Sequence, residues 1–387
     1  MSRFPQGIDK VWATGSLLAG IFLAAGDFLL YRPNRLVAGE PVSLASGGQI
    51  FVLLGLFLWM ILFAGAWTRG IAVKRMSAWA TVLMTVFLLF AAGELSSSIL
   101  ADQPPFARVS LGSGFWGGLL GLFMVLAHVS ATLEDKLFRR LVPFLLLLAV
   151  LILSLLGTFD SLSLVQELLA KQDRVVRELL EHMKITTMAV SISVIVGFPL
   201  ALVLLKTERL QGPVFSLLNT VQTVPSLALF GLLIAPLAFL SARFEILRAM
   251  GITGIGWAPA VIALSLYALL PVVRNTFVGF KSLDPDILQA GQGMGMTPLQ
   301  RLLKIELPLA APVVLNGIRI TSVQTVGNTA VAALIGAGGF GVFIFQGLGQ
   351  GATDLILLGA VPTVLLALIL DRFMQALITA LTPRGQA

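Results

Sequence analysis

The chain has no cysteine among its 387 residues, so disulfides, iron–sulfur clusters and thiol chemistry are excluded. Charge is scarce too. Only 12% of residues are Asp, Glu, Lys or Arg, where a soluble domain carries about a quarter. The two histidines, His128 and His182, fall on separate expected spans with no carboxylate or thiol at ligand spacing, which argues against a metal centre. No nucleophile–base or metal constellation of a membrane-embedded enzyme is found. No basic run with interleaved aromatics is present either, so the net charge of +7 and pI near 10.1 do not indicate a nucleic-acid partner. They fit the positive-inside bias of a membrane protein.

What the chain has in abundance is apolar surface: 57% of its residues are hydrophobic and the mean hydropathy is +0.95. A water-soluble protein of this length has no interior large enough for them, so the lipid bilayer is the solvent. The apolar runs approach the ~20 residues of a spanning helix, not the short alternating segments of a barrel. An all-α polytopic fold of about ten transmembrane helices is expected, with spans near 11–31, 50–68, 78–98, 112–130, 141–159, 182–205, 214–238, 256–276, 310–333 and 354–378. The start, Met1 to Lys10, reads as the lead into an uncleaved first span.

Lys and Arg set the orientation. With the N-terminus inside, the cytoplasmic segments hold Arg3, Lys10, Arg69, Lys74, Arg75, Lys136, Arg139, Arg140, Lys206, Arg209, Arg274, Lys281, Arg301, Lys304, Arg372 and Arg384, leaving the smaller share outside and Arg319 within a span. Both termini are therefore expected in the cytoplasm. Over 160–181, Val165, Leu168, Leu169, Val176, Leu179 and Leu180 recur at helical spacing among charged residues, which predicts an amphipathic helix on the outer membrane surface. It divides a five-span block, 1–159, from a second block, 182–387.

The most informative stretch is the polar loop 281–308, KSLDPDILQAGQGMGMTPLQRLLKIELP. Asp284 followed by Pro285 signals a helix start, and Gly293 and Gly295 a stop after Gln292. Thr297 and Gln300 stand at capping-box spacing for a second short helix to about Glu306, ended by Leu307-Pro308. Two short helices at a glycine elbow make a stiff projection, and Ala290, Gly291, Gly293 and Gly295 leave one face bare enough for another protein to approach. On these grounds alone, a surface hairpin that binds nothing fits equally well.

The stretch resembles the coupling motif of ATP-binding-cassette importer permeases, Glu-Ala-Ala, three residues, Gly, then Ile-x-Leu-Pro. This chain reads Gln289-Ala290-Gly291-Gln292-Gly293 and later Ile305-Glu306-Leu307-Pro308. It departs from the motif in having Gln289 for the acidic residue, Gly291 for the second Ala, and an early Gly. The nearest resemblance is to glycine betaine, choline and proline-betaine permeases. It is carried also by 222–230 (QTVPSLALF), 265–275 (SLYALLPVVRN), 328–339 (NTAVAALIGAGG) and 355–362 (LILLGAVP), and covers roughly 182–380. In the first block, Arg32–Leu36 (RPNRL) and Ser110–Trp116 (SLGSGFW) resemble the longer Yeh-type osmoprotectant permeases.

The resemblance implies a type I importer transmembrane fold and a permease that is not itself an enzyme. Asp284, Gln289, Ala290, Gly291, Gly293, Gly295 and Arg301 would sit in a groove of cytoplasmic ATPase subunits, which bind the ATP and Mg; no cofactor is expected in this chain. A periplasmic binding protein would deliver substrate, and a second permease, identical or related, would complete the path in the bacterial inner membrane. The missing carboxylate at Gln289 implies weaker coupling than in relatives with Glu.

Polar interruptions mark the path. Gln222, Thr223, Pro225 and Ser226 interrupt the seventh span, and Gln324, Asn328 and Thr329 the ninth; ordinary helix–helix hydrogen bonding explains them equally well. Gly336–Gly341 superficially suggests a phosphate loop, but no strand precedes it and no Lys-Ser/Thr follows, so a tight turn or re-entrant loop is expected. Two other transporter readings stay open: a permease of this architecture for another solute such as an amino acid, and an ion-coupled secondary transporter, which would need a mid-membrane ion site and repeated halves.

Overall fold

The computed structural model of the protein describes residues 8–34, 37–68, 70–132 and 136–382. Arg3, Arg69 and Arg384 of the charge pattern, and Arg35 and Leu36 of the RPNRL stretch, lie outside them. Two compact units follow one another, Met1–Ala170 and Lys171–Ala387.

The first unit contains helices α1 (Lys10–Ala25), α2 (Gln49–Trp67), α3 (Ile71–Leu100), α4 (Ser113–Thr132), α5 (Lys136–Leu155) and α6 (Ser163–Ala170). Asp9 caps α1, its carboxylate accepting the Trp12 N–H at 3.3 Å. The same carboxylate lies 2.9 Å from His128 Nε2 and 3.9 Å from Lys74 Nζ, so His128 ties α4 to the start of α1. Helix α1 ends earlier than the expected span 11–31 because residues 29–32 enter a sheet. Strand β1 (Leu29–Arg32) pairs antiparallel with β2 (Glu40–Val42) and β3 (Arg108–Leu111), Leu29 facing Val42 on one side and Leu111 on the other. This small sheet was not foreseen, since strands of three or four residues are too short to show a period of two. Helices α1 and α4 meet at glycines: a Cβ at Gly121 would come within 2.5 Å of the Gly15 carbonyl oxygen.

The second unit contains α7 (Gln172–Lys206), α8 (Glu208–Thr223), α9 (Ser226–Arg243), α10 (Glu245–Ala249), α11 (Trp257–Lys281), α12 (Pro285–Gly293), α13 (Pro298–Arg301), α14 (Leu307–Thr329), α15 (Gly341–Gln350) and α16 (Thr353–Leu381). The expected surface helix over 160–181 is not a separate element. Its first half is α6, and residues 172–181 are the opening turns of α7, which runs on for 35 residues. Nothing between Gln172 and the span breaks a helix, so the apolar spacing of Val176, Leu179 and Leu180 simply continues into it. Helix α11 is the buried centre, with Ala260, Ala263 and Leu264 packed against Ile185 and Ala189 of α7. Gly197 faces Val272 and Gly317 faces Asn275, so small residues bring α7 and α14 close to α11.

Eight described helices are long and apolar enough to cross a bilayer. The first and ninth expected spans are the ones outside that set. Helix α1 has 16 residues, roughly 24 Å at 1.5 Å per residue, somewhat short of a ~30 Å hydrocarbon core. Helix α14 has 23 residues but carries Asn316, Arg319, Gln324 and Asn328. The seventh expected span, 214–238, is two helices, α8 and α9, parted at Val224-Pro225. Proline lacks the N–H and pushes the residue before it out of the helical region; Val224 has φ −70° and ψ 129°.

Candidate functional site

The elbow between α11 and α14 is built locally. The Asp284 carboxylate accepts the Asp286 N–H at 2.9 Å and starts α12 with Pro285 in its first turn. Helix α12 extends to Gly293, one residue past the expected end, and the left-handed turn falls on Gly295, with φ +78°. Thr297 and Gln300 form the expected capping box: the Gln300 N–H donates to Thr297 Oγ1 at 3.3 Å, and the Thr297 N–H to Gln300 Oε1 at 2.9 Å. Arg301 Nε donates to Glu306 Oε1 at 2.6 Å and braces the next turn.

The second short helix does not stop at Leu307-Pro308. A wide π turn, Leu302–Glu306, carries it directly into α14, the Leu307 N–H reaching back to the Leu302 carbonyl. One extra residue in the turn accommodates Pro308, which has no N–H for the ordinary ladder. The elbow is therefore mechanically continuous with α14.

Its two glycine types differ. Gly291 is buried, and a Cβ there would meet Ile305 Cδ1 at 2.7 Å, so it lets α12 lie on the π turn. Gly293 and Gly295 have open space. Gln289 and Ala290 are exposed, and so are the apolar side chains of Met294, Leu299 and Leu303. Exposed apolar side chains beside bare backbone leave this polar loop room for contact with another protein.

The polar residues expected along the path divide by role. Gln222 Nε2 donates to the Tyr267 carbonyl at 2.9 Å. That carbonyl would normally receive the N–H of residue 271, which is proline. The Tyr267 hydroxyl in turn donates to the Val224 carbonyl, at the break that Pro225 opens. Thr329 is buried, its hydroxyl donating to the Thr325 carbonyl at 2.8 Å and lying 3.1 Å from Thr186 Oγ1 of α7. Gln222 and Thr329 thus join helices. Thr223 and Gln324 are exposed, with Ser226 and Asn328 partly so. Exposed Ser216, Asn219 and Thr220 extend the polar face of α8 through Thr223, and Asn316, Ile320, Gln324 and Gly327 share a face of α14.

Gly336–Gly341 is a tight turn, with φ +77° at Gly336 and +83° at both Gly338 and Gly339. Glu178 and His182, one turn apart on α7, hold it. Glu178 Oε2 accepts the Gly339 N–H at 2.8 Å and His182 Nδ1 the Phe340 N–H at 3.3 Å. With Nδ1 accepting, Nε2 carries the proton and donates to the Val326 carbonyl at 2.9 Å. Neither this use of His182 nor the lock at Tyr267 was visible from residue spacing, because each depends on a partner more than forty residues away.

A locked helix break, polar-faced helices and a stiff elbow fused to one of them, among eight described helices long and apolar enough to cross a bilayer, are the build of a polytopic membrane protein. Two family models match: "Binding-protein-dependent transport system inner membrane component" over residues 189–384, and "ABC transporter permease YehY, N-terminal domain" over residues 9–165. The chain belongs to the family of binding-protein-dependent transport system inner membrane components. It is 40% identical over 205 residues to the osmoprotectant import permease protein OsmW of Salmonella typhimurium, covering 53% of this chain and 90% of that one. It is 37% identical over 205 residues to the choline transport system permease protein OpuBB of Bacillus subtilis, covering 53% and 87%. Among solved structures, a chain of the MetNI methionine ABC transporter in inward-facing form aligns with TM-score 0.48 and 22% identity, over 55% of this chain and 99% of that one. The type I importer permease fold expected from the coupling motif goes with this membership, and the chain is a permease subunit whose ATPase is a separate chain.

Proposed function

We propose that this permease imports osmoprotectants such as glycine betaine or choline across a bacterial inner membrane, driven by cytoplasmic ATPase subunits that bind ATP and Mg. The observation that carries the reading is the elbow Ser282–Glu306, stiff, apolar-crowned and continuous with α14. The osmoprotectants named for OsmW and the choline named for OpuBB support this cargo class. Gln289, Ala290, Gly293 and Gly295 meet the ATPase, while Asp284, Gly291 and Arg301 hold the elbow in shape. Thr223, Ser226, Gln324 and Asn328 line the path, and Gln222, Pro225 and Thr329 shape it from behind. A periplasmic binding protein delivers the solute, and a second permease, a copy or a related chain, closes the path. Closure of the ATPase pair rocks the permeases between inward- and outward-open states. Both termini face the cytoplasm.

The test is uptake of radiolabelled glycine betaine into proteoliposomes holding the permease, its ATPase and its binding protein. ATP-dependent uptake supports the reading; uptake indifferent to ATP overturns it. The orientation is read separately. Since the chain lacks cysteine, Met294→Cys supplies a unique thiol, and labelling of that thiol from outside intact cells would refute the assignment of the elbow to the cytoplasm.

A further inference from the structure

Arg319 is a cation inside α14 that neither the elbow nor the polar path uses. Its Nε donates to Asp371 Oδ1 at 2.7 Å, and its Nη1 to Gln375 Oε1 at 2.5 Å. Asp371 and Gln375 stand four residues apart in α16, so they occupy successive turns of one face. The side chains of Arg319 and Asp371 are 29% and 30% exposed. Ionisable residues within spans are costly and mark function. Neutralising one cation takes one carboxylate. Here the planar guanidinium also grips the next turn, which fixes α14 against α16 both in rotation and along the axis.

Arg319 follows Glu306 by thirteen residues of continuous helix, roughly 20 Å at 1.5 Å per residue. The π turn and α14, with Pro312 inside it, connect the elbow to this bridge without an intervening loop. We propose that Arg319 is a positioning residue: with Asp371 and Gln375 it makes α14 and α16 move as one body when the elbow is pushed. The inference rests on the functional reading above.

The experiment uses the reconstituted importer and measures radiolabelled glycine betaine taken up per phosphate released. The double variant Arg319→Met/Asp371→Leu removes both charges without stranding either in lipid, so charge compensation alone predicts normal transport. The tie predicts assembly with the ATPase and continued ATP hydrolysis, but uptake per ATP lowered about tenfold, within the usual range of coupling between sites. Arg319→Lys keeps the charge, loses the fork, and should fall in between. Uptake per ATP equal to wild type in the apolar pair overturns the inference.

A second arm avoids dependence on that variant's folding. In this cysteine-free chain, Arg319→Cys/Asp371→Cys joined by a short bifunctional thiol reagent should regain uptake per ATP relative to the unjoined pair. No gain on joining overturns the tie. A wild-type importer whose uptake ignores ATP would overturn the functional reading and this inference with it, whereas a coupled wild type with an equally coupled apolar pair removes only the inference.

Discussion

Gln222 and Tyr267 repair each other's helices: the amide of Gln222 fills the carbonyl that Pro271 leaves open, and the phenol of Tyr267 fills the carbonyl exposed by the break at Pro225. Two prolines in separate helices are made tolerable by one reciprocal pair. A kink here is thus a held geometry, not a loose joint.

Removing either partner should cost stability. Gln222→Leu strands the Tyr267 carbonyl, and Tyr267→Phe strands that of Val224, each at about 1–3 kcal/mol. Because the groups share one lock, the double variant should lose less than the two single losses together, with a coupling of roughly 0.5–3 kcal/mol. Thermal unfolding in lipid nanodiscs measures this; strictly additive losses would show that the two bonds act independently.

The glycines of the elbow should separate folding from partner contact. Gly293→Leu has open space and leaves the permease melting as before, yet it should reduce the amount of ATPase that co-purifies. Gly295→Ala meets a left-handed backbone instead, with a strain of about 1–2 kcal/mol in the elbow itself. If Gly293→Leu held its ATPase as well as wild type, the bare face would not be the contact.

Gln289 stands where the coupling motif of related permeases carries an acidic residue, and its side chain is exposed on α12. On the proposed function, Gln289→Glu would add a charge-assisted contact with the ATPase. Transport-coupled ATP hydrolysis should rise a few-fold, comparable to roughly 1 kcal/mol of added coupling. An unchanged rate sinks this expectation.

The turn at Gly339 depends on both its conformation and its clearance. A Cβ there would lie 3.1 Å from His182 Nδ1, on a backbone with φ +83°. Gly339→Ala should therefore destabilise by about 1–2 kcal/mol from backbone strain alone. His182→Leu should cost more, since it leaves the Phe340 N–H and the Val326 carbonyl without partners, at about 1–3 kcal/mol each. Hydrogen exchange of residues 336–341 reports the effect; unaltered protection in His182→Leu would count against the imidazole as the holder of the turn.

The elbow was the most legible part of the chain because its signals are local. A cap at Asp284, a capping box at Thr297 and a glycine turn act over three or four residues, and each appears within a residue or two of its expected place. Long apolar runs were legible for the same reason; a partner strand shortens the first, Pro225 divides the seventh, and the polar residues of the ninth keep it outside the apolar set. The sheet strands at Leu29, Glu40 and Arg108 are held by partners as far apart as Leu29 and Leu111 and left no periodic trace. The path residues were only half readable: composition marked Gln222 and Thr329 as polar in apolar surroundings, but not that one serves a proline in another helix and the other a threonine on α7. Arg319 was visible as an anomaly, while Asp371 and Gln375 had no signal that pointed back to it.

Helix α7 has 35 residues, roughly 52 Å at 1.5 Å per residue, against a hydrocarbon slab of ~30 Å. A rod that overshoots the slab so far can slide or lean as lipid composition varies, without dragging its greasy section into water. The 18-residue α9, about 27 Å long, has no such slack. Thickening the bilayer with longer acyl chains would accordingly load the short rod first, and through the locked break at Pro225 pass the load to α8 and α11.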